Sequence, residues 1–458
     1  MEFLKERLKK LAPGQVLILY YAVAILLGAL LLKTPWAAHG APLSFLDAVF
    51  TATSAQCVTG LAVVDTGSKL TLFGQLVVLL LIQVGGLGIT TFSVYLFYYL
   101  RLGVATRGRW IVQETLIHTP IDSLRDLVRS VILMTLVIEG AGTALLSFVF
   151  VPEMGFFKGL YYALFHSISA FCNAGFALFS DSLVPYRNHP LSNITIMVLI
   201  VLGGIGFLVI REVLGLAKRK KEKGARRSLS LHSRLVFATT GVLIVGGTLL
   251  IGTLEWQGAF AGMGPGESAW IALFQSVTAR TAGFNTIDLN ALRVPTVFLI
   301  MFLMFVGASP GSAGGGIKTT SLALFFAIFL SRLKGETRTN IFRRTIPDET
   351  VTKTLSLVML ALIFVGIATF VLLTVQSLGI STQRTGGGFL IYGFEAISAF
   401  STVGLSLGAT AQLLPLGKVV IIVMMFVGRV GLLTMAFTIA RRARRDAPQY
   451  SREGVMIG

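Results

Sequence analysis

Charged residues are scarce in this chain of 458 residues: Asp, Glu, Lys and Arg together make up 13%, against 54% apolar residues. Mean hydropathy is +0.80. A soluble fold of that length, about three domains by the usual prior, cannot hide so much apolar surface. A bilayer can, since each crossing takes roughly 20 apolar residues. Cysteine is nearly absent: Cys57 and Cys172 are too few for a disulfide scaffold, and no Cys/His spacing resembles a zinc site. Paired carboxylates, a His/Cys cluster and a nucleophile elbow are also lacking at any plausible depth, which argues against an enzyme. The alternative of a secondary transporter for a small organic solute meets a similar shortage, because few polar midplane residues could hold one.

The charge that is present is lopsided, at a formal net +18. Most of the 39 Lys and Arg residues fall in five segments, 1–14, 99–130, 211–234, 332–353 and 441–458, each between or beyond apolar stretches. This is the positive-inside asymmetry. It predicts a multi-pass protein of the cytoplasmic (inner) membrane with both termini in the cytoplasm. The basic run 218–227 (KRKKEKGARR) is then a topology signal, and no nucleic acid is expected as partner. The first apolar run, 15–32, is longer than the roughly 7–15 apolar residues of a signal peptide.

Internal repetition supplies the architecture. Four segments read alike: 54–61 SAQCVTGL, 169–176 SAFCNAGF, 278–284 TARTAGF and 398–405 SAFSTVGL. Each has a small hydroxylic residue, an alanine, and then a glycine followed by a large apolar residue. The glycines are Gly60, Gly175, Gly283 and Gly404. A second signature follows each copy: 84–88 VGGLG, 202–206 LGGIG, the expanded 306–316 VGASPGSAGGG, and 427–431 VGRVG.

Hydropathy repeats with the motifs. Long apolar spans at 15–34, 128–151, 235–254 and 354–377 precede shorter segments at 45–56, 160–171, 268–280 and 389–400. Second long spans follow at 70–98, 191–215, 296–330 and 418–440. A dozen helical residues reach roughly 18 Å at 1.5 Å per residue, short of a hydrocarbon core of about 30 Å. The short segments therefore read as re-entrant half-helices. The predicted fold is all-α and integral to the membrane: four span–half-helix–span repeats, with eight transmembrane helices and four pore helices about a pseudo-four-fold axis. The predicted organisation is a cytosolic N-terminus (1–14), repeat 1 (15–100), repeat 2 (126–216), a basic cytosolic loop (217–233), repeat 3 (234–331), repeat 4 (352–440) and a cytosolic tail (441–458).

Irregular backbone at membrane depth is tolerated only where protein buries it or water lines it. Four half-helices ending at glycine segments would converge on one axis, their C-terminal dipole ends favouring a cation. Backbone carbonyls after them can replace an ion's hydration shell. No ring of carboxylates is available, so carbonyl coordination is expected.

At this point the sequence resembles the Trk/Ktr/HKT potassium transporters over nearly its whole length. Its start at the first repeat and its ending GVMIG are most similar to the bacterial KtrB type. The resemblance implies a potassium selectivity filter at Val58, Thr59 and Gly60; Asn173, Ala174 and Gly175; Thr281, Ala282 and Gly283; and Thr402, Val403 and Gly404. Some plant relatives with serine at the first filter glycine admit sodium; glycine in all four copies implies potassium. Whether sodium is coupled stays open. The resemblance further implies no covalently bound cofactor, a homodimer, and a cytosolic nucleotide-binding regulatory ring of the KtrA type.

The stretch 311–319 (GSAGGGIKT) nearly matches a phosphate-binding loop but fails, because Ile317 separates glycine from lysine. In the relatives this region, 307–319 here, is an intramembrane gating loop, which implies a gate of Gly311, Ser312, Ala313, Gly314, Gly315, Gly316 and Lys318 together with Arg429. A charge in mid-span, as at Arg429, usually marks function. Glu139 reads as either functional or a packing hydrogen bond. Thr51, His166, Gln275 and Glu395, at one equivalent half-helix position, are expected to hydrogen-bond to a neighbouring span. Arg280 is expected to brace the third filter segment from behind.

Overall fold

The computed structural model describes residues 13–101, 124–218, 229–377, 388–432 and 434–435. In chain order its helices are α1 (Pro13–Leu32), α2 (Phe45–Gln56), α3 (Leu72–Arg101), α4 (Leu124–Met154), α5 (Phe156–Phe171), α6 (Pro190–Ile205) and α7 (Phe207–Lys218). There follow α8 (Leu231–Glu255), α9 (Pro265–Thr278), α10 (Val294–Phe305) and α11 (Thr319–Leu333). A hairpin of β1 (Asn340–Ile341) and β2 (Arg344–Thr345) precedes α12 (Asp348–Ser377), α13 (Gly388–Ser401) and α14 (Pro415–Val430).

Among the described residues four helices, within α1, α4, α8 and α12, are long and apolar enough to cross a membrane. They carry exposed Leu26, Leu133, Val242 and Phe370, as expected of faces turned to lipid. The predicted short segments are the helices α2, α5, α9 and α13, of 12, 16, 14 and 14 residues. Local chemistry starts them. Ser44 caps α2 by accepting from the Asp47 amide at 3.1 Å, an arrangement typically worth about 1 kcal/mol. Pro265 opens α9 and Pro190 and Pro415 open α6 and α14, at first-turn positions where the missing amide costs nothing.

The second glycine signature is explained by close approach. A methyl group added at Gly85, Gly203 or Gly428 would strike the backbone carbonyl of Gln56, Phe171 or Phe400, the equivalent position near the end of α2, α5 and α13. Only glycine lets each following span pass so near its half-helix. The circle of repeats closes where Lys418 of α14 pairs with Asp47 of α2 at 2.6 Å.

Two expected spans, 191–215 and 296–330, are each split into two helices. Residues 191–215 read as a single crossing, but α6 and α7 meet at Gly206 with a bend of 97°. Gly206 has φ +97, and Gly431, its counterpart after α14, has φ +92. The equivalent Gly88 lies inside α3. The cause at Gly206 is non-local. The Ser309 and Ala313 amides donate to the carbonyls of Gly204 and Gly203 at 2.9 and 3.1 Å, and the Phe207 amide donates to Gly311 at 3.1 Å. A loop from the third repeat thus replaces the helix's own hydrogen bonds.

Candidate functional site: a glycine ring and the loop beneath it

The four half-helices end in one backbone pattern. The residue two before each glycine takes a left-handed conformation, with φ +55 at Val58, +58 at Asn173, +70 at Thr281 and +52 at Thr402. The glycines follow at φ +91, +69, +79 and +94, a region that costs any residue with a Cβ. Amides turn back onto each half-helix: Thr59 to Ser54 and Ala174 to Ser169 at 2.7 Å, Val403 to Ser398 at 2.9 Å, and Ala282 to Thr278 at 3.0 Å. All of Val58, Thr59, Asn173, Ala174, Thr281, Ala282, Thr402 and Val403 are fully buried.

These segments form a closed ring. A methyl group on Gly60 would lie 2.5 Å from the Ala174 carbonyl oxygen, and one on Gly175 would lie 2.6 Å from that of Ala282. On Gly283 it would strike the Val403 oxygen, and on Gly404 the Thr59 oxygen. Each repeat's glycine thus abuts the carbonyl just before the next repeat's glycine, and the fourth returns to the first. The expected filter triplets come together in space.

The residues expected in a gate come together too. Val306 and Ile317 pair as a bridge and close the stem of a loop whose tip packs against the ring. The Gly315 amide donates to the Thr402 hydroxyl at 2.9 Å, and a methyl group on Gly314 would meet the Thr281 hydroxyl. Lys318 donates to the Gly314 carbonyl at 2.8 Å. Arg429, 3% exposed, donates to the carbonyls of Ala313 and of Gly85, the latter at 2.8 Å, and to the Tyr21 hydroxyl at 3.2 Å. Its fork of donors therefore ties the loop to repeats 1 and 4.

Other expectations resolve individually. The hydrogen bonds of His166 and Glu395 go elsewhere than to a span. His166 accepts from the Leu178 amide at 3.3 Å, and Glu395 accepts from the Leu407 amide at 3.2 Å and from the hydroxyls of Ser406 and Thr410 at 2.5 Å. Both hold the return loop twelve residues on, a partner that periodicity cannot reveal. Thr51 Oγ1 and the Gln275 carboxamide have no hydrogen-bond partner among the described residues. Glu139 accepts from Gln83 at 3.0 Å and lies 3.8 Å from the Cys172 thiol. Arg280, 7% exposed, reaches Thr240 of α8 at 3.4 Å and stands beside a cavity of about 10 Å³ between α6 and α8.

Long apolar helices arranged around four short ones define a multi-pass membrane protein. Residues 13–447 match the family model TrkH, described as a cation transport protein. The chain belongs to the TrkH cation transport protein family. It is 39% identical over 434 residues to the Ktr system potassium uptake protein B of Bacillus subtilis, covering 94% of both chains. It is 35% identical over 463 residues to the potassium/sodium uptake protein NtpJ of Enterococcus hirae, covering 100% of both. The fold is that of the potassium transporter TrkH from Vibrio parahaemolyticus, with a TM-score of 0.74, 18% identity, and coverage of 94% of this chain and 86% of that one.

Proposed function

We propose that this chain is the ion-translocating pore subunit of a potassium-uptake system of the cytoplasmic membrane. The observation that carries the reading is the closed ring of Gly60, Gly175, Gly283 and Gly404, each facing a carbonyl of its neighbour. Buried carbonyls of fixed direction can replace the hydration shell of a bare monovalent cation.

In this reading the eight long segments span the membrane, α6 with α7 and α10 with α11 each counting as one broken crossing, and α2, α5, α9 and α13 are pore helices. The repeats divide at 15–100, 126–216, 234–331 and 352–440. Val58 to Gly60, Asn173 to Gly175, Thr281 to Gly283 and Thr402 to Gly404 form the filter, and 311–316 with Lys318 and Arg429 form the gate. The name of the Bacillus subtilis relative supports a place in a multi-component system. We assign the chain a homodimeric assembly and a cytosolic nucleotide-binding ring as regulator, with both termini on the regulator's side. The Enterococcus hirae relative is named for sodium as well as potassium, so sodium is a second candidate ion.

The test is growth at low potassium of cells stripped of their own uptake systems, with rubidium uptake as the direct readout. Expression of this chain with its regulator should restore growth, and potassium should compete with rubidium. Uptake of rubidium that excess potassium fails to reduce would overturn the assignment.

A further inference from the structure

Each half-helix carries one hydroxyl at the same position: Ser54, Ser169, Thr278 and Ser398. All four are fully buried, yet their partners divide two and two. Ser54 accepts from the Gly60 amide, and Ser398 accepts from the Gly404 amide, each at 3.1 Å. Ser169 donates to the Phe176 carbonyl at 2.8 Å, and Thr278 donates to the Phe284 carbonyl at 2.7 Å. The partners force these roles, since an amide can only donate and a carbonyl can only accept.

The difference matters because a peptide unit is planar and trans, so its N–H and C=O point in opposite directions. The amide of Gly60 belongs to the same unit as the carbonyl of Thr59, and that of Gly404 to the unit of Val403. Drawing the amide back toward the half-helix turns the carbonyl forward. The Thr59 oxygen is the atom that faces Gly404, and the Val403 oxygen is the atom that faces Gly283. Ser169 and Thr278 act two peptide units further along, on carbonyls that follow the ring.

We propose that Ser54 and Ser398 are positioning residues for ion selection, holding the Thr59 and Val403 carbonyls on the ring by accepting the amides of Gly60 and Gly404. The proposal rests on the filter reading above. A filter of four near-equivalent carbonyls then has two that side chains hold and two, those of Ala174 and Ala282, in repeats whose half-helix hydroxyls, Ser169 and Thr278, bond elsewhere. Without the fully buried serine acceptor, the Gly60 or Gly404 amide loses the partner that holds it, and its peptide is free to rotate. Such a rotation takes one carbonyl off the ring and weakens the field that favours the larger, less tightly hydrated ion.

The experiment measures potassium and sodium flux in vesicles holding the full chain, normalised to folded protein. Ser54→Ala and Ser398→Ala should each lower the potassium-to-sodium permeability ratio about tenfold, about 1.4 kcal/mol of discrimination. Ser54→Thr keeps the acceptor and should stay within about twofold of the parent, while Ser54→Cys, a weaker acceptor of nearly the same size, should fall between. Ser169→Ala and Thr278→Val should change the ratio by less than about twofold, because they leave the ring peptides alone. Unchanged selectivity in both alanine variants would overturn the proposal, as would an equal loss in all four repeats. Gly60→Ser is the control: if it shifts selectivity and the serine variants do not, the filter reading stands and the hydroxyl assignment falls.

Discussion

Arg429 and Ala313 lie 116 residues apart, and the guanidinium of the first donates to the carbonyl of the second. The same side chain holds Gly85 and Tyr21, so one cation connects the third repeat's loop to the first repeat's second span. A hydrogen bond to a charged group contributes about 1.5–3 kcal/mol. That is enough to decide between two positions of the loop.

The first prediction follows from that contact. Deleting 311–316 should raise potassium flux, and Arg429→Ala should raise it less, because Lys318 still holds Gly314. Selectivity should survive in both, since the ring itself is unaltered. Arg429→Ala also leaves the Ala313 carbonyl short of its donor, at about 1–3 kcal/mol, while the Gly85 carbonyl keeps the Tyr21 hydroxyl at 3.2 Å. Flux must therefore be measured per folded protein in reconstituted vesicles. If both variants conduct no faster than the parent, the loop packs the pore without gating it.

Much of this arrangement is legible in the sequence for simple reasons. A half-helix too short to cross a bilayer and a glycine with no room for a Cβ both leave marks in the residues themselves. What stays hidden has non-local causes. The run LGGIGFLVI reads as an unbroken span because glycine is tolerated within membrane helices. It bends at Gly206 only because the third repeat's loop supplies replacement hydrogen bonds. The small hydroxyl in each motif is visible too, but whether it meets an amide or a carbonyl depends on how the chain returns. His166 and Glu395 fail the same way: their period places them on a face, while their partners lie in the loop beyond the ring.

A second prediction concerns Gly60. Its φ of +91 and its approach to the Ala174 oxygen leave no strain-free place for a side chain. Gly60→Ser should push that carbonyl aside and lower potassium preference over sodium by about tenfold, a change of about 1.4 kcal/mol. Equal permeability ratios in variant and parent, measured by ion substitution, would remove Gly60 from the filter.

A third prediction concerns the proposed cytosolic regulator. Segment 338–344 includes the β1–β2 hairpin, where Phe342 and Arg343 take φ +47 and +63, the pattern of a two-residue turn that normally favours Asn-Gly. Thr345 donates to Asn340 at 2.8 Å across it, and Ile346 packs it against Ile328 and Val351. Exposed Phe342 thus stands on a fixed mount among arginines. The other two basic segments expected to dock, 218–227 and the tail 441–458, lie outside the described residues apart from Lys218. Neutralising Arg338, Arg343 and Arg344 should weaken regulator binding several-fold, more at low salt than at high salt. Undiminished recovery after all three segments are neutralised would place the docking surface elsewhere.

The last prediction concerns the bent helix beside the proposed gate. At one end of α7 the Phe207 amide is bonded to Gly311 of the loop at 3.1 Å. At its middle the Glu212 carboxylate accepts from the Ser230 amide at 2.6 Å, from the Ser230 hydroxyl at 2.8 Å and from the Ser233 hydroxyl. Those groups open α8, where amides without helical partners and the helix dipole both favour a negative charge. α7 is therefore fastened at its start and its middle, the first to the loop beneath the ring and the second to the start of the next repeat. Glu212→Gln keeps the shape but removes the charge, costing the clamp about 1 kcal/mol. If α7 steadies the loop, flux should rise several-fold and the potassium-to-sodium ratio should not move. Adding Glu212→Gln to the 311–316 deletion should then change nothing further, because the part that α7 steadies is gone. A rise that persists in the deletion background, or no rise in the full chain at normal membrane abundance, would make α7 a packing element with no hold on the gate.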